Sequence, residues 1–287
     1  MPLFTEIFLI ALAAGTLLQY WLLRRHLRHV TSHRDRVPNE FAERITLNGH
    51  HKAADYTRAK GRLAQLEILF NALLLLLWTL GGGLGLLNGF WQQYQIEPVY
   101  AGVLLIFSVF FVSGLLELPF SLWRTFKIEA AYGFNRTSLG QYVKDRLLAV
   151  LLSLLLGAPL LWVLLWLMDS AGQAWWLAAW LVWMGFSLTL TWAYPRLIAP
   201  LFNRFTPLQE GETRQRIQGL LQRCGFTSNG IFVMDGSRRS SHGNAYFTGF
   251  GNNKRIVFFD TLLDSLTDDE MEAVLAHELG HFRLKHI

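Results

Sequence analysis

Cysteine is almost absent: Cys224 stands alone in 287 residues. No internal disulfide framework can therefore brace this chain, and a single thiol fits a reducing compartment. Nothing in the sequence around Cys224 would activate it as a nucleophile, so it reads as a small apolar core residue. Charge is scarce as well, at 16 % of residues against ~25 % in ordinary soluble proteins. The net charge of +5 is spread over particular loops and forms no single basic patch, which argues against nucleic acid as a partner. The N-terminus lacks the basic start and small-residue cleavage site of a secretory signal. Its first apolar run, Ile7–Leu23, follows Glu6, runs into Arg24, Arg25 and Arg28, and reads as a retained membrane helix.

What the chain has instead is apolar length: 52 % hydrophobic residues, including 11 Trp and 21 Phe. Five runs approach the ~20 residues that cross a bilayer core: about 7–23, 68–91, 99–123, 147–168 and 174–194. They predict a membrane domain over 1–195 and a polar domain over 196–287. Lys and Arg number ten in 24–62, none in 89–98, five in 124–146, none in 169–173 and eleven from Arg196 onward. That alternation predicts an outside N-terminus and a cytoplasmic polar domain, in a bacterial inner membrane or an ER-like membrane. Asn71 reads as a helix–helix hydrogen-bonding residue. Glu117 lies either at the interface or toward a polar interior. The glycines at 81–83 loosen the second span or admit a close neighbour. Residues 128–138 read as a polar connector turning at Gly133. Residues 194–208, with three prolines, read as a non-helical exit from the membrane.

In the polar domain, Glu212–Arg223 predicts a helix stopped at Gly225, with Ile217, Leu220 and Leu221 on one face. Strands are expected at 231–234, 244–248 and 255–259, the last two joined as a hairpin through 249–254. Thr267-Asp268-Asp269-Glu270 is a capping box that opens a helix with Met271, Val274 and Leu275 as its apolar stripe. On that helix lies His277-Glu278-Leu279-Gly280-His281. Residues i and i+4 share a helical face, so both imidazoles can reach one Zn2+, one ion per chain, with Glu278 placed to act as general base. A hydrolytic zinc takes three protein ligands. His286 lies about 140° around the helix from His281 and about 180° from His277, so it cannot join them on a continuous helix. His242 and Asp235 have no ligand spacing. The third ligand is expected beyond residue 287, which implies that the zinc-peptidase domain here is incomplete.

Several longer stretches carry a resemblance. Ser241-His242-Gly243-Asn244-Ala245-Tyr246-Phe247-Thr248-Gly249-Phe250 and 254–263, Tyr132-Gly133-Phe134-Asn135-Arg136-Thr137, and Pro200-Leu201-Phe202-Asn203-Arg204-Phe205 resemble the integral-membrane CAAX prenyl protease 1 family, with the HtpX-type proteases as more distant relatives. The resemblance implies a predominantly α-helical polytopic membrane protein, a transmembrane helix barrel around a chamber with a small α+β zinc-peptidase domain. It implies His277 and His281 as zinc ligands, Glu278 as base and a downstream Glu as third ligand. It also implies a strand edge at Asn244 and Ala245 that pairs with substrate backbone; by residue type alone, a turn residue is the lesser reading of Asn244. The expected activity is that of a membrane-embedded zinc metalloendopeptidase acting on peptide or protein substrates, prenylated or membrane-bound. The alternative is a catalytically incomplete zinc-binding scaffold, a pseudoenzyme that captures peptides without cutting them.

Overall fold

A computed structural model describes residues 2–226, 230–248 and 255–284, without the side chains of Thr248, Phe282 and Arg283. Among the described residues the protein is predominantly helical, with five helices long and apolar enough to cross a membrane and one small sheet. Contacts divide it into two compact units, 1–133 and 134–287.

The first unit holds α1 (Leu3–Ser32), α2 (Leu47–Thr79), α3 (Gly83–Gln92) and α4 (Pro98–Trp123). Thr46 caps α2 by accepting from the Gly49 amide, and Glu97 caps α4 by accepting from Val99 and Tyr100. Such caps satisfy amides that a helix start leaves without partners. Because lipid supplies no hydrophobic drive between helices, polar contacts and close packing hold them. Trp78 Nε1 donates to Ser113 Oγ at 2.9 Å, and Trp91 Nε1 donates to Ser108 Oγ at 3.0 Å. Arg124 Nη2 donates to both Glu67 oxygens, at 2.6 and 2.5 Å.

The expected second span, 68–91, is not one helix. It ends at Thr79, and α3 begins at Gly83. The amides of Leu80 and Gly81 both donate to the Leu76 carbonyl, and Gly82 turns the chain at φ +79°. A Cβ on Gly83 would come within 2.8 Å of the Trp78 ring and 2.9 Å of the Leu77 carbonyl. The glycine run is thus a helix break, where the sequence suggested only loosening or close packing. Asn71 and Glu117 are both exposed.

The second unit begins with α5 (Leu139–Ser170), capped by Ser138, and α6 (Trp175–Ala193). The expected non-helical exit also needs correction. Past Ala193 the chain widens into a π-helical turn, Tyr194–Ile198, and continues as α7 (Ala199–Phe202). Pro195 and Pro200 each fall in the first two positions of a new turn, where a missing N–H costs little. The connector at 128–138 is likewise helical at its start, in a π-helical turn Arg124–Glu129 that prolongs α4; Gly133 then turns at φ +81° as expected.

The small α+β part follows: β1 (Phe205–Pro207), α8 (Glu212–Arg223), β2 (Ile231–Met234), β3 (Ala245–Thr248), β4 (Arg255–Phe259), α9 (Asp260–Leu263) and α10 (Asp268–Arg283). The strand order is β1-β2-β4-β3, with β2 and β4 parallel and the outer pairs antiparallel. β3 and β4 pair as the hairpin predicts, Ala245 opposite Phe258; its turn, 249–254, lies outside the described residues. Ile217, Leu220 and Leu221 of α8 join Ile231, Ile256, Phe258, Met271, Leu275 and Leu279 in one core, with Cys224 packed at its margin.

Candidate metal centre

The helix carrying the histidines starts as its sequence dictates. Thr267 Oγ1 and the Thr267 amide both donate to the Glu270 carboxylate, at 2.9 and 3.0 Å, and the Glu270 amide reaches Thr267 Oγ1 at 3.4 Å. Ion pairs then tie α10 to α8, Arg216 to Asp269 at 2.6 Å and Arg223 to Glu272 at 2.5 Å. The buried stripe is Met271, Leu275 and Leu279, exposed by 2, 1 and 2 %; the expected Val274 is only half-buried. At about 100° per residue, that stripe lies roughly opposite the face of His277 and His281. Leu279, inside the motif itself, therefore anchors the helix to the core while the imidazoles face away from it. His277 is exposed, and Glu278 and His281 are half-buried.

The two rings meet. His277 Nε2 and His281 Nε2 lie 3.1 Å apart, with the ring planes at 89°. Two imidazoles bound to one tetrahedral zinc at ~2.05 Å would hold their nitrogens about 3.3 Å apart. The pair fits a metal ion with little movement; without one, the same distance suits a single N–H···N hydrogen bond. Among the described residues no third His, Cys, Asp or Glu completes a set around them. His242 and Asp235 are engaged elsewhere. His242 stacks on Phe134 at 4.2 Å, and Asp235 accepts the Arg204 amide at 2.7 Å. His286 lies outside the described residues.

The strand edge is the second component. β3 is the outer strand on its side of the sheet, and α10 packs against it. The Asn244 carbonyl accepts from the Phe259 amide at 2.9 Å. Alternation then turns the backbone groups of Ala245 and Phe247 away from β4, toward the open edge. The Ala245 amide is held there by its neighbour's side chain, Asn244 Oδ1, at 2.9 Å. Asn244 is exposed. The sequence pointed to Asn244 and Ala245; alternation gives Phe247 the same outward orientation as Ala245, a position that sequence reasoning did not single out.

Sequence reasoning also missed the hub that holds this strand's approach. Arg239 donates to Asp145 of α5 from Nε and Nη2, at 2.8 and 2.9 Å. It also donates to Asn203 Oδ1 at 2.8 Å and to the Phe202 carbonyl at 2.6 Å. Its own carbonyl accepts from the Arg136 amide and from Thr137 Oγ1, both at 3.0 Å. Asp145 raises the guanidinium's pKa further above its ordinary value. The stretches 134–137, 202–203 and 235–242, far apart in sequence, are thus tied together through one arginine just ahead of β3.

Five membrane-length helices, a small α+β domain and two imidazoles converging from a capped helix define a multi-pass integral membrane protein with a metallopeptidase-type centre. Comparison with known proteins agrees. Residues 26–204 match the family model described as CAAX prenyl protease N-terminal, five membrane helices, and residues 207–287 match Peptidase family M48. The CAAX prenyl protease 1 homolog of Caenorhabditis elegans is 31 % identical over 304 residues, covering 96 % of this chain and 68 % of that protein. The Arabidopsis thaliana homolog is 43 % identical over 175 residues, covering 61 % of this chain and 41 % of that protein. The crystal structure of S. mikatae Ste24p superposes with a TM-score of 0.85 at 30 % identity, over 96 % of this chain and 67 % of that one. This chain belongs to the CAAX prenyl protease 1 family of M48 peptidases. It spans about half the length of several of these relatives, 52 % of the Oryza sativa homolog and 41 % of the Arabidopsis one. Membership implies a metal cofactor.

Proposed function

We propose that this protein is a membrane-embedded zinc metalloendopeptidase of the CAAX prenyl protease type, which hydrolyses peptide bonds near the cytoplasmic face of its membrane. The observation that carries this reading is the 3.1 Å convergence of His277 and His281 on a helix that contacts the outer strand of the sheet. His277 and His281 would hold one zinc ion per chain. That ion, when bound, supplies Lewis acidity at the scissile carbonyl and makes the attacking water easier to deprotonate.

The remaining work falls to this chain's own residues. Glu278, next to His277 in the chain, accepts the proton from the attacking water and delivers it to the departing amine nitrogen. The outward backbone groups of Ala245 and Phe247 take an extended substrate as an added strand, so affinity comes from main-chain hydrogen bonds. Asn244 rotates off the Ala245 amide to release that donor. Substrates are proteins with prenylated C-termini, or membrane proteins marked for clearance. The alternation of Lys and Arg along the chain supports an outside N-terminus.

Replacing Glu278 with Gln tests the assignment. Zinc content should stay unchanged by elemental analysis, while cleavage of a quenched fluorescent peptide falls at least a hundredfold, the size of a lost general base. Undiminished cleavage with zinc retained would remove Glu278 from the chemistry. The lack of a third ligand among the described residues favours a second reading, a scaffold that binds peptides without cutting them. Under that reading the unaltered chain retains peptide, and neither it nor the variant cleaves.

A further inference from the structure

Several charges on and between the polar stretches of α1 and α2 are matched, but three arginines that share one groove are not. Arg34 pairs with Asp55 at 2.9 and 2.7 Å, and Arg58 reaches the same carboxylate at 3.3 Å. Asp35 takes Arg34 and His51, and Glu67 takes Arg124. Those carboxylates are thereby occupied. Arg24, Arg28 and Arg62 make no hydrogen bond, ion pair or ring contact with any described residue. All three are exposed, and all three line one groove of about 600 Å³ together with Tyr20, Thr31, Arg58 and Gln65.

The groove has a construction. Arg24, Arg28 and Thr31 recur at helical spacing on α1, and Arg58, Arg62 and Gln65 recur the same way on α2. Each trio therefore makes one ridge. Between the ridges, Leu27 lies against Gly61 so closely that a Cβ there would sit 2.4 Å from Leu27 Cδ2. Glycine at this position lets the helices approach and brings the ridges to either side of one floor. Like charges gathered this way repel each other unless an anion lies between them.

Depth identifies the anion. The apolar run of α1 ends at Leu23, four residues from the Leu27 contact, and that of α2 begins at Ile68, seven residues from Gly61. At 1.5 Å per residue the two boundaries agree to within about 5 Å. Arg24 and Gln65 thus fall in the ~5–7 Å headgroup layer, and the longer arginine side chains can reach into it from just outside. Three unmatched guanidinium groups around one space exceed what a singly charged phosphodiester neutralises. Guanidinium forks are also suited to phosphate oxygens.

We propose that this groove binds the headgroup of a phospholipid carrying at least two negative charges, through Arg24, Arg28 and Arg62. The inference is independent of catalysis at His277 and His281. The test compares lipid retention on the full chain by native mass spectrometry, with cardiolipin as probe and phosphatidylcholine as reference. Wild type should retain cardiolipin selectively. The R24Q/R28Q/R62Q variant should lose at least tenfold in retention, given about fivefold per arginine near a charged headgroup. A control, R25Q/R36Q/R44Q, removes equal charge outside the groove and should retain at least about fivefold more cardiolipin than the groove variant, the share that direct contact adds per arginine. Should the triple variant fold poorly, the exposed single change R62Q still predicts a loss of about fivefold. Equal losses in groove and control variants would reduce the site to diffuse electrostatics and overturn the proposal. So would full retention by R62Q, or displacement of the lipid by millimolar inorganic phosphate, which would mark a simple anion site.

Discussion

The membrane helices and the small α+β domain are stabilised by opposite means. α1, α5 and α6 bury none of their residues inside the protein, although they are among its most apolar segments. Many of their Leu, Phe and Trp side chains are exposed, where lipid is the matching solvent. The α+β domain gathers its apolar residues inward around Phe258, which is 0 % exposed, with Ile217, Ile256 and Leu275 at 1 % each. One region is specified by length and charge alternation, the other by which residues recur on one face. The candidate metal centre sits on the second kind of structure, where a side chain can be positioned to within fractions of an ångström by a packed core.

The sharpest way to break that contrast is Phe258→Ala. Emptying the centre of the core should cost about 3–5 kcal/mol. The expected result is early proteolysis of the segment after Phe205, with helical circular dichroism from the spans retained. If the spans melt together with the domain, the two regions are one cooperative unit, and the contrast is only one of composition.

Next in size is Arg239→Ala. Its partner Asp145 has a side chain only 24 % exposed; removing the arginine leaves the Phe202 carbonyl without this donor and the carboxylate with Gln141 Nε2, at 2.6 Å, as its remaining partner. A loss of about 2–4 kcal/mol is expected, between a charged hydrogen bond and a broken buried pair. Asp145→Ala combined with Arg239→Ala should cost clearly less than the sum, because both delete the same contact. Additive losses in a thermal melt would mean the two act independently. Peptide affinity should weaken along with stability, since Arg239 holds the approach to β3; unchanged affinity would separate the hub from the strand edge.

Gly82→Val tests the membrane side. A β-branched residue at φ +79° should cost about 1–2 kcal/mol. An alternative relief is for α2 and α3 to fuse into the single span the sequence suggested. Cysteine accessibility labelling at residue 91 distinguishes the two outcomes: the native break keeps its present exposure pattern, whereas fusion carries Trp91 further along the α2 axis.

How much of this was legible follows from the range of each interaction. The histidine pair, the Thr267 cap and the α8 face depend on neighbours three or four residues away, so spacing alone reveals them. The Gly82 break was only half legible. Three glycines announce a weak point, but the close approach of Gly83 to Trp78 and Leu77, which leaves no room for a Cβ, exists only in three dimensions. Pro195 misled because a proline ordinarily ends a helix, whereas here a π-helical turn widens to accommodate it. The Arg239 hub was invisible, joining partners 94 and 36 residues away. No local pattern marks an arginine for that role.

The smallest expected effect tests the most local feature. Thr267→Ala removes the hydroxyl that receives the Glu270 amide at 3.4 Å and donates to its carboxylate at 2.9 Å. The backbone amide of residue 267 still reaches Glu270, and Asp268 and Asp269 still face the positive end of the helix dipole. The loss should therefore be about 1 kcal/mol, at the ordinary level for an N-cap. His277 and His281 lie more than two turns further on, beyond the reach of fraying at the first turn. Their affinity for zinc should change by less than about twofold, because Leu275 and Leu279 continue to seat that part of α10 in the core. A larger drop in zinc affinity, measured by competition with a chromophoric chelator, would show that the cap governs the metal centre and not merely the start of its helix.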